Sequence, residues 1–287
     1  MLRNLKEFYY PTSVPEALAI LGRFESRAAV VAGCTSLGRV DDAKLEAAVD
    51  ITRLGLSYVK ETKEYLELGA ATTYETMARS RKLQGFAGGL LAEAASRCGS
   101  HLIRNVMTLG GSIIISTPGA ELPPALLALD ARMLIAGATE QEVPAAEFFS
   151  QPKFRLLGRL ELLTAVRIPR ELEAWSCGYE LFARTRTDPS MGTAAVLLAS
   201  EGDTCSGARV VFGGICRHAT RSTAAEKKLL GKRPGPIQFD AAAKAALKDL
   251  EVVSDWRASK EYRVHAAHVL MKRTLAACWA RAIGGSR

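Results

Sequence analysis

The sequence predicts an α+β fold, because short strands and capped helices share the first half of the chain and strands precede helices in the second. Beyond residue 175, three apolar runs of strand length are followed by three segments with helical spacing of apolar residues. Strands grouped before helices favour a separate domain with a three-stranded antiparallel sheet. The predicted strands are Gly178–Arg184, Thr193–Ala199 and Ala208–Ile215, and the predicted helices lie near Thr223–Leu230, Phe239–Leu250 and Ser259–Ile283.

In the first half of the chain, strands run into loops and helices have recognisable starts. Ser13-Val-Pro-Glu16 is a capping box, which predicts a helix through Leu21. Strand Leu162–Ile168 ends at Pro169, and residues 170–174 are predicted to link two domains. The other predicted elements are strands Ala28–Ala32, Tyr65–Ala70 and Met133–Ala136 and helices Gly88–Cys98 and Ala125–Leu129.

Composition and charge exclude several classes of protein. The chain has 287 residues, 48% hydrophobic and 24% charged, as expected of a globular protein with room for two domains. No apolar run approaches the roughly 20 residues that span a bilayer, and the N-terminus lacks the apolar core of a secretory signal. We therefore expect a cytoplasmic protein. The net charge of +8 is spread out, and its richest run, Lys227–Arg233, lacks interleaved aromatic residues, which favours a solvated face or a subunit contact over nucleic-acid binding.

Metal binding is not expected of this chain. Its six cysteines are scattered without a C-x-x-C pair, whereas iron–sulfur and zinc sites usually need close thiolate pairs. His265 and His268 share a face of the predicted last helix but lack a third ligand. The same helix carries a stripe that predicts its core-facing side, and the chain has neither a P-loop nor a G-x-G-x-x-G motif. The stripe consists of Tyr262, Ala266, Val269, Leu270 and Ala277.

Two glycine-containing segments suggest a phosphate-binding site. Val31-Ala-Gly-Cys-Thr-Ser-Leu37 and Thr108-Leu-Gly-Gly-Ser112 each place glycine and small hydroxyl residues together, the first directly after an apolar run. Gly110 and Gly111 would let the backbone adopt a positive φ and approach a ligand closely, and successive N–H groups in such a turn attract anions. Either segment alone is more often a plain turn, but together they suggest one ligand with two phosphates.

The chain resembles the FAD-binding (medium) subunit of the molybdenum hydroxylases, the group of xanthine dehydrogenase and aerobic carbon monoxide dehydrogenase. Ala32–Ser36 matches the first flavin loop of that family and Thr108–Ser112 matches the second. The resemblance extends over about residues 5–280. Further matching segments are Phe8–Leu18, Val49–Ile51, Leu68–Thr73, Ser254–Ser259 and Tyr262-Arg263.

The resemblance implies an N-terminal flavin domain of the vanillyl-alcohol-oxidase (PCMH) type over residues 1–170. This domain would consist of two α+β subdomains, about 1–55 and 56–170, and a C-terminal α+β domain would cover residues 175–287. FAD would lie in the cleft between the subdomains, with its pyrophosphate between the two loops. The implied cofactor-binding residues are Ala32, Gly33, Cys34, Thr35, Ser36, Leu37, Thr108, Gly110, Gly111 and Ser112, with Glu121 near the ribityl or adenosine part and Tyr179 near the flavin ring.

The implied function is electron transfer within a cytoplasmic heterotrimer. A molybdopterin-binding large subunit would oxidise a substrate, and a [2Fe–2S] small subunit would pass electrons singly to this chain. FAD would deliver them to NAD⁺ or another acceptor, which requires no catalytic residue from this chain. Two alternatives stay open: a structural or assembly subunit that has lost tight FAD binding, and a stand-alone flavin oxidoreductase.

Several positions depart from the family pattern: Leu37 is followed by Gly-Arg with less apolar bulk than usual, Ile113-Ile-Ile is more β-branched than usual, and three single residues differ. Cys34 replaces the second glycine of the first loop, and a side chain there costs roughly 1 kcal/mol or more if the position has a positive φ. Met107 replaces the glycine that usually precedes the second loop, and Glu121 stands where the family usually has aspartate. These departures affect the expected affinity for FAD and leave the predicted fold unchanged.

Overall fold

The computed structural model describes residues 4–35, 44–115, 120–151, 157–158, 160–248 and 250–284. The chain forms two compact units, each built from several stretches of sequence. The first unit comprises Met1–Met77, Ser100–Ser116 and Ala131–Ile168, and the second comprises Ala78–Gly99, Thr117–Asp130 and Pro169–Arg287. Among the described helices, none combines the length and the hydropathy needed to cross a bilayer.

The first unit contains a three-stranded parallel sheet and a larger, five-stranded sheet. The parallel sheet has the order β1-β3-β2, and the second sheet has the order β4-β5-β8-β6-β7. The strands are β1 (Glu7–Tyr9), β2 (Ala28–Val31), β3 (Ala47–Asp50), β4 (Val59–Glu61), β5 (Tyr65–Gly69), β6 (Arg132–Ala136), β7 (Gln141–Pro144) and β8 (Leu162–Pro169). The helices are α1 (Val14–Phe24), α2 (Tyr74–Arg79, which continues into the second unit), α5 (His101–Arg104), α6 (Leu109–Ile115) and α8 (Ala145–Ser150).

Helix α1 illustrates how the sequence sets the elements of this unit. Ser13 is its N-cap, and the Ser13 hydroxyl accepts a hydrogen bond from the Glu16 amide at 3.3 Å. Ala17, Ile20 and Leu21 are buried on one side of the helix and pack around Val49 of β3. The capping box therefore starts the helix as predicted, and the apolar spacing attaches it to the parallel sheet.

The second unit is built on a four-stranded antiparallel sheet of order β12-β11-β10-β9. The three predicted strands are present, and the sequence analysis missed the two-residue strand β12 at the edge. The strands are β9 (Ser176–Phe182), β10 (Gly192–Glu201), β11 (Thr204–Gly213) and β12 (Thr220–Arg221). The helices are α3 (Arg81–Gly85), α4 (Leu90–Arg97), α7 (Leu122–Ala128), α9 (Thr223–Leu229), α10 (Pro236–Lys248) and α11 (Lys260–Gly284).

Glycines let helices approach both faces of this sheet. A Cβ on Gly178 of β9 would lie 2.6 Å from the Thr274 carbonyl oxygen of α11, and one on Gly213 of β11 would lie 2.3 Å from the Pro124 side chain of α7. The sheet is therefore covered on both sides. Its main core lies on the α11 side, where alternate residues of β10 and β11 pack against α9, α10 and α11.

The prediction of the core-facing side of α11 is wrong, because the buried face lies about one residue further along the helix than the predicted stripe. Tyr262 is 54% exposed, whereas the neighbouring Arg263 is fully buried. Arg263 can occupy a core position because its guanidinium donates to the carbonyl oxygens of Met191 and Gly214 at 2.8 Å and to Asp255 Oδ1 at 2.7 Å. The buried face of the helix follows from Arg263: Ala267, Met271, Thr274, Leu275, Cys278, Trp279 and Ala282.

We expect Arg263→Met to lower the free energy of unfolding by about 3 kcal/mol, because it leaves buried acceptors without their donor. The matched control is Arg184→Met, since the Arg184 side chain is 49% exposed and, among the described residues, pairs with Asp188 and the ring of Trp256 alone. It should cost less than about 1 kcal/mol. Urea unfolding of both variants measures the difference, and equal losses would contradict the role given to Arg263.

Candidate cofactor-binding site

The first predicted loop leaves the end of β2 and makes an unusually close backbone contact. A Cβ on Gly33 would lie 1.7 Å from the carbonyl oxygen of Val106, so no other residue fits here without displacing the loop. Cys34 follows with a φ of +53°, the left-handed region that favours glycine. Ala32 to Thr35 are described, and Ser36 and Leu37 lie outside the described residues.

The second predicted segment is the start of a helix, which corrects the expectation of a turn with positive φ. Gly110 and Gly111 lie in α6 and neither has a positive φ. They are needed for close packing instead. A Cβ on Gly110 would lie 2.9 Å from the Ala70 side chain, and one on Gly111 would lie 3.0 Å from Thr108 Oγ1.

The amides of this second segment are already used inside the protein. The Leu109 amide donates to the Thr72 carbonyl and the Gly110 amide to the Ala70 carbonyl, at 2.9 and 2.8 Å. The Gly111 amide donates to Thr108 Oγ1, and the Ser112 amide donates to the Thr108 carbonyl. The expectation that these N–H groups form an anion-binding concavity is therefore wrong, although the hydroxyls of Thr108 and Ser112 can still donate.

The two segments line one small concavity of about 70 Å³. In the described part of the chain, the amides of Gly33, Cys34 and Thr35 donate to no protein acceptor. A turn that contains a left-handed residue such as Cys34 can gather successive N–H groups around an anion. The concavity therefore offers free amides from the first loop and hydroxyls from both segments. Its lining comprises Val30, Val31, Ala32, Gly33, Cys34, Thr35, Thr108, Gly111, Ser112 and Ile115.

A larger, mainly apolar cavity of about 390 Å³ shares residues with this concavity. Ala32 and Gly111 border both, and Gly110 borders the larger one. The sequence analysis missed most of its lining, because those apolar residues match strand and helix patterns that are typical of core positions. The missed lining includes Leu21, Ala28, Val30, Ile51, Ala70, Ile114, Leu157, Leu162 and Leu163, with the polar residues Glu25, Ser26 and Glu161.

The thiol of Cys34 lacks the surroundings of a reactive cysteine. Partial burial raises the pKa of Cys34, and the negative charge of Asp50 raises it further. Reactive thiols have a lowered pKa beside a cation or a helix N-terminus. Cys34 is therefore better described as a small residue at a position with a positive φ.

Glu121 and Tyr179 belong to the second unit, whereas both loops belong to the first. The Tyr179 hydroxyl donates to the backbone carbonyl of Glu121 at 3.0 Å, and both side chains are buried. Burial raises the pKa of Glu121, and a hydrogen bond with the Cys98 thiol lowers it by less. Burial also raises the pKa of Tyr179, and the nearby Glu121 adds to this.

Two protein-family models match consecutive parts of this sequence. The FAD-binding domain in molybdopterin dehydrogenase matches residues 3–171, and the CO dehydrogenase flavoprotein C-terminal domain matches residues 178–278. The chain belongs to the FAD-binding medium subunits of the molybdenum hydroxylase family. FAD is thus the cofactor of this flavoprotein subunit, and the chain is part of an oxidoreductase.

Known proteins are similar in sequence to this chain over nearly its whole length. The carbon monoxide dehydrogenase medium chain of Hydrogenophaga pseudoflava is 31% identical over 96% of this chain and 97% of its own. The nicotine 6-hydroxylase medium subunit of Paenarthrobacter nicotinovorans is 29% identical over 94% of this chain and 96% of its own.

Solved structures confirm the fold class. A structure of carbon monoxide dehydrogenase from Hydrogenophaga pseudoflava superposes with a TM-score of 0.92 at 32% identity, over 98% of this chain and 99% of that one. Quinoline 2-oxidoreductase from Pseudomonas putida 86 gives a TM-score of 0.92 at 25% identity, over 99% of both chains.

We expect Cys34→Gly to stabilise this flavoprotein subunit by about 1 kcal/mol, because glycine removes the cost of a side chain at positive φ. Thr35→Gly is the matched control in the same loop, because Thr35 has no positive φ, so it should destabilise by about 0.5–1 kcal/mol. Urea unfolding measures both, and a Cys34→Gly variant less stable than the native chain would contradict the strain.

The buried carboxyl of Glu121 should make the stability of this subunit depend on pH. The pKa of Glu121 is raised in the folded chain, so its ionisation does not affect the free energy of unfolding while the carboxyl is protonated in both the folded and the unfolded state. As pH rises above the pKa that Glu121 has in the unfolded chain, the free energy of unfolding falls. The loss is complete above the pKa of Glu121 in the folded chain.

Glu121→Gln should therefore raise the free energy of unfolding at pH 8 by more than about 1 kcal/mol and change it little at pH 4.5. Glu180→Gln is the control because Glu180 is exposed, and it should change the free energy of unfolding by the same small amount at both pH values. Urea unfolding at the two pH values checks this, and a gain of equal size at both would disprove it.

Proposed function

We propose that this subunit transfers electrons within a complex that also contains a molybdopterin-binding large subunit and a [2Fe–2S] small subunit. Electrons would arrive singly from the clusters of the small subunit and leave through FAD to NAD⁺ or another acceptor. The observation that carries this proposal is the concavity lined by the first loop, whose amides have no acceptor among the described residues, and by hydroxyl residues of both segments. Such donors suit the charged oxygens of a pyrophosphate.

Each group of residues around the concavity would bind a different part of FAD. The amides of Gly33, Cys34 and Thr35 would bind phosphate oxygens, and the hydroxyls of Thr35, Thr108 and Ser112 would add donors. Backbone near Ala32, Gly110 and Gly111 would allow close approach. The adjoining apolar cavity of about 390 Å³ would take a ring system of the dinucleotide, as its size and lining are those of a ligand pocket.

The remaining site residues rest on the family resemblance. Ser36 and Leu37 would complete the first loop. Glu121 would lie near the ribityl or adenosine part and Tyr179 near the flavin ring. The first domain would cover residues 1–170 and the second residues 175–287, close to the two matched families.

Bound FAD supplies both one-electron and two-electron chemistry, so it can join single-electron donors to a two-electron acceptor. This chain's own residues would bind and orient the cofactor and keep it in a fixed environment. They need not transfer protons to a substrate, because substrate oxidation would take place on the large subunit.

A second candidate is a structural or assembly subunit of the same complex. Two observations favour it: Cys34 carries the cost of a left-handed conformation, and four amides of the second segment are satisfied within the protein. Both would lower the affinity for FAD without disturbing the fold.

The test is the FAD content of the purified chain, quantified after denaturation against protein. We expect near-stoichiometric FAD, alone or after addition of free FAD. Protein that stays empty both alone and beside its partner subunits would favour the structural candidate.

A paired substitution ties the binding to the first loop. Gly33→Ala should reduce FAD affinity at least tenfold, because the new Cβ collides with the Val106 carbonyl and pushes the free amides out of position. Gly85→Ala is the control, since a Cβ there meets nothing within 4 Å and the residue ends a helix in the other unit. Fluorescence titration with FAD measures both affinities. Equal affinities would show that the first loop is not the site.

A further inference from the structure

A broad groove lies between α10 and α11 of the second unit, and none of the residues assigned above to FAD lines it. It encloses about 730 Å³. Leu247 of α10 and Val264 of α11 contribute apolar surface, and Val264 is 36% exposed. Lysines from both helices and two histidines surround this surface. The remaining lining residues are Lys244, Lys248, Lys260, Glu261, His265 and His268.

The charges around the groove are unbalanced. Asp240 interacts with three cationic or titratable groups at once: Lys244 Nζ and Lys272 Nζ at 2.8 Å, and His268 Nε2 at 3.3 Å. The contacts with Lys244 and Lys272 hold the pKa of Asp240 well below its usual range. His268 Nε2 is buried and forms no hydrogen bond with any described residue.

Two further lysines have few carboxylates near them among the described residues. Lys260 has a neighbouring carboxylate in Glu261, whereas Lys248 has no ion pair among the described residues. Among the described residues, four lysines therefore lie near two carboxylates, those of Asp240 and Glu261. The groove is therefore an apolar surface with a cationic border.

This combination fits a protein segment better than a small anion. Exposed lysines in water hold a lone phosphate or carboxylate weakly, because solvent screens each pair. A segment with apolar side chains flanked by Asp and Glu can bury Leu247 and Val264 and place its carboxylates beside the lysines. Interfaces commonly combine an apolar centre with a polar rim of complementary charge.

We propose that the α10–α11 groove docks an acidic, partly apolar segment of a partner subunit. The inference rests on the proposed function, because it requires that this chain works in a complex, as do relatives named as medium chains and subunits. Charge complementarity identifies the occupant: the groove is cationic and this chain carries a net charge of +8, so the docking segment is anionic.

The first experiment is lysine footprinting of the complex formed by co-expressing this chain with its partner subunits. Acetylation followed by mass spectrometry should modify Lys244, Lys248 and Lys260 at least fivefold more slowly in the complex than in the free chain. Lys63 and Lys82, which are exposed and lie outside the groove, should react equally in both. Unchanged reactivity in the groove would overturn the proposal. Equal protection of the free chain by millimolar inorganic phosphate would also overturn it, in favour of a small-anion site.

The second experiment compares two double charge reversals, each on exposed lysines outside the contact with Asp240. K248E/K260E should weaken association at low salt at least fivefold, and the difference should shrink at high salt. K63E/K82E reverses two exposed lysines outside the groove, is the matched control and should assemble within twofold of the native chain. Sedimentation velocity measures association, and thermal melting of each variant confirms that it is folded.

FAD content, measured on the same samples, separates this inference from the proposed function. K248E/K260E protein that holds FAD and assembles like the native chain would overturn the groove alone. A native chain that forms no complex would also overturn it. A native complex without FAD would count against the proposed function, while its footprint would still decide the groove.

Discussion

The site depends on one backbone contact, the approach of Gly33 to the carbonyl of Val106. Because no Cβ intervenes, the first loop lies directly against the segment that leads into α6. That segment is held from its other side as well, since the Tyr74 amide donates to the Met107 carbonyl and Thr73 forms a bridge with Thr108. The concavity exists because a chain segment is fixed between two neighbours, with one glycine allowing the closer contact.

The two glycine segments have different physical roles. The segment around Gly110 and Gly111 uses its amides and its lack of side chains to hold α6 against Ala70. The loop around Cys34 leaves its amides free of protein acceptors in the described structure. In the proposed binding mode, the first loop would hold the pyrophosphate, and the second segment would be a rigid support that adds hydroxyls.

Helix α11 joins stability and assembly in the second unit. On its buried side, Arg263 fixes three separate chain segments through Met191, Gly214 and Asp255. On its other side, together with α10, it presents the cationic groove. The rigid position given by the buried side is what keeps the groove lysines at a fixed spacing, and a fixed spacing lowers the entropic cost of docking a partner.

The sequence by itself determined the fold class, the family and the order of the elements. Capping residues, strand-length apolar runs and the two glycine loops are local signals that survive in any packing. The tertiary structure alone decided which amides are free, which face of α11 is buried and that Gly110 and Gly111 serve packing instead of a turn. Hydrogen-bond partners such as Ala70 and Thr72 come from distant parts of the chain, so periodicity cannot reveal them. Likewise, hydropathy assigns arginine to the surface, and only the convergence of two carbonyls and a carboxylate makes buried Arg263 stable.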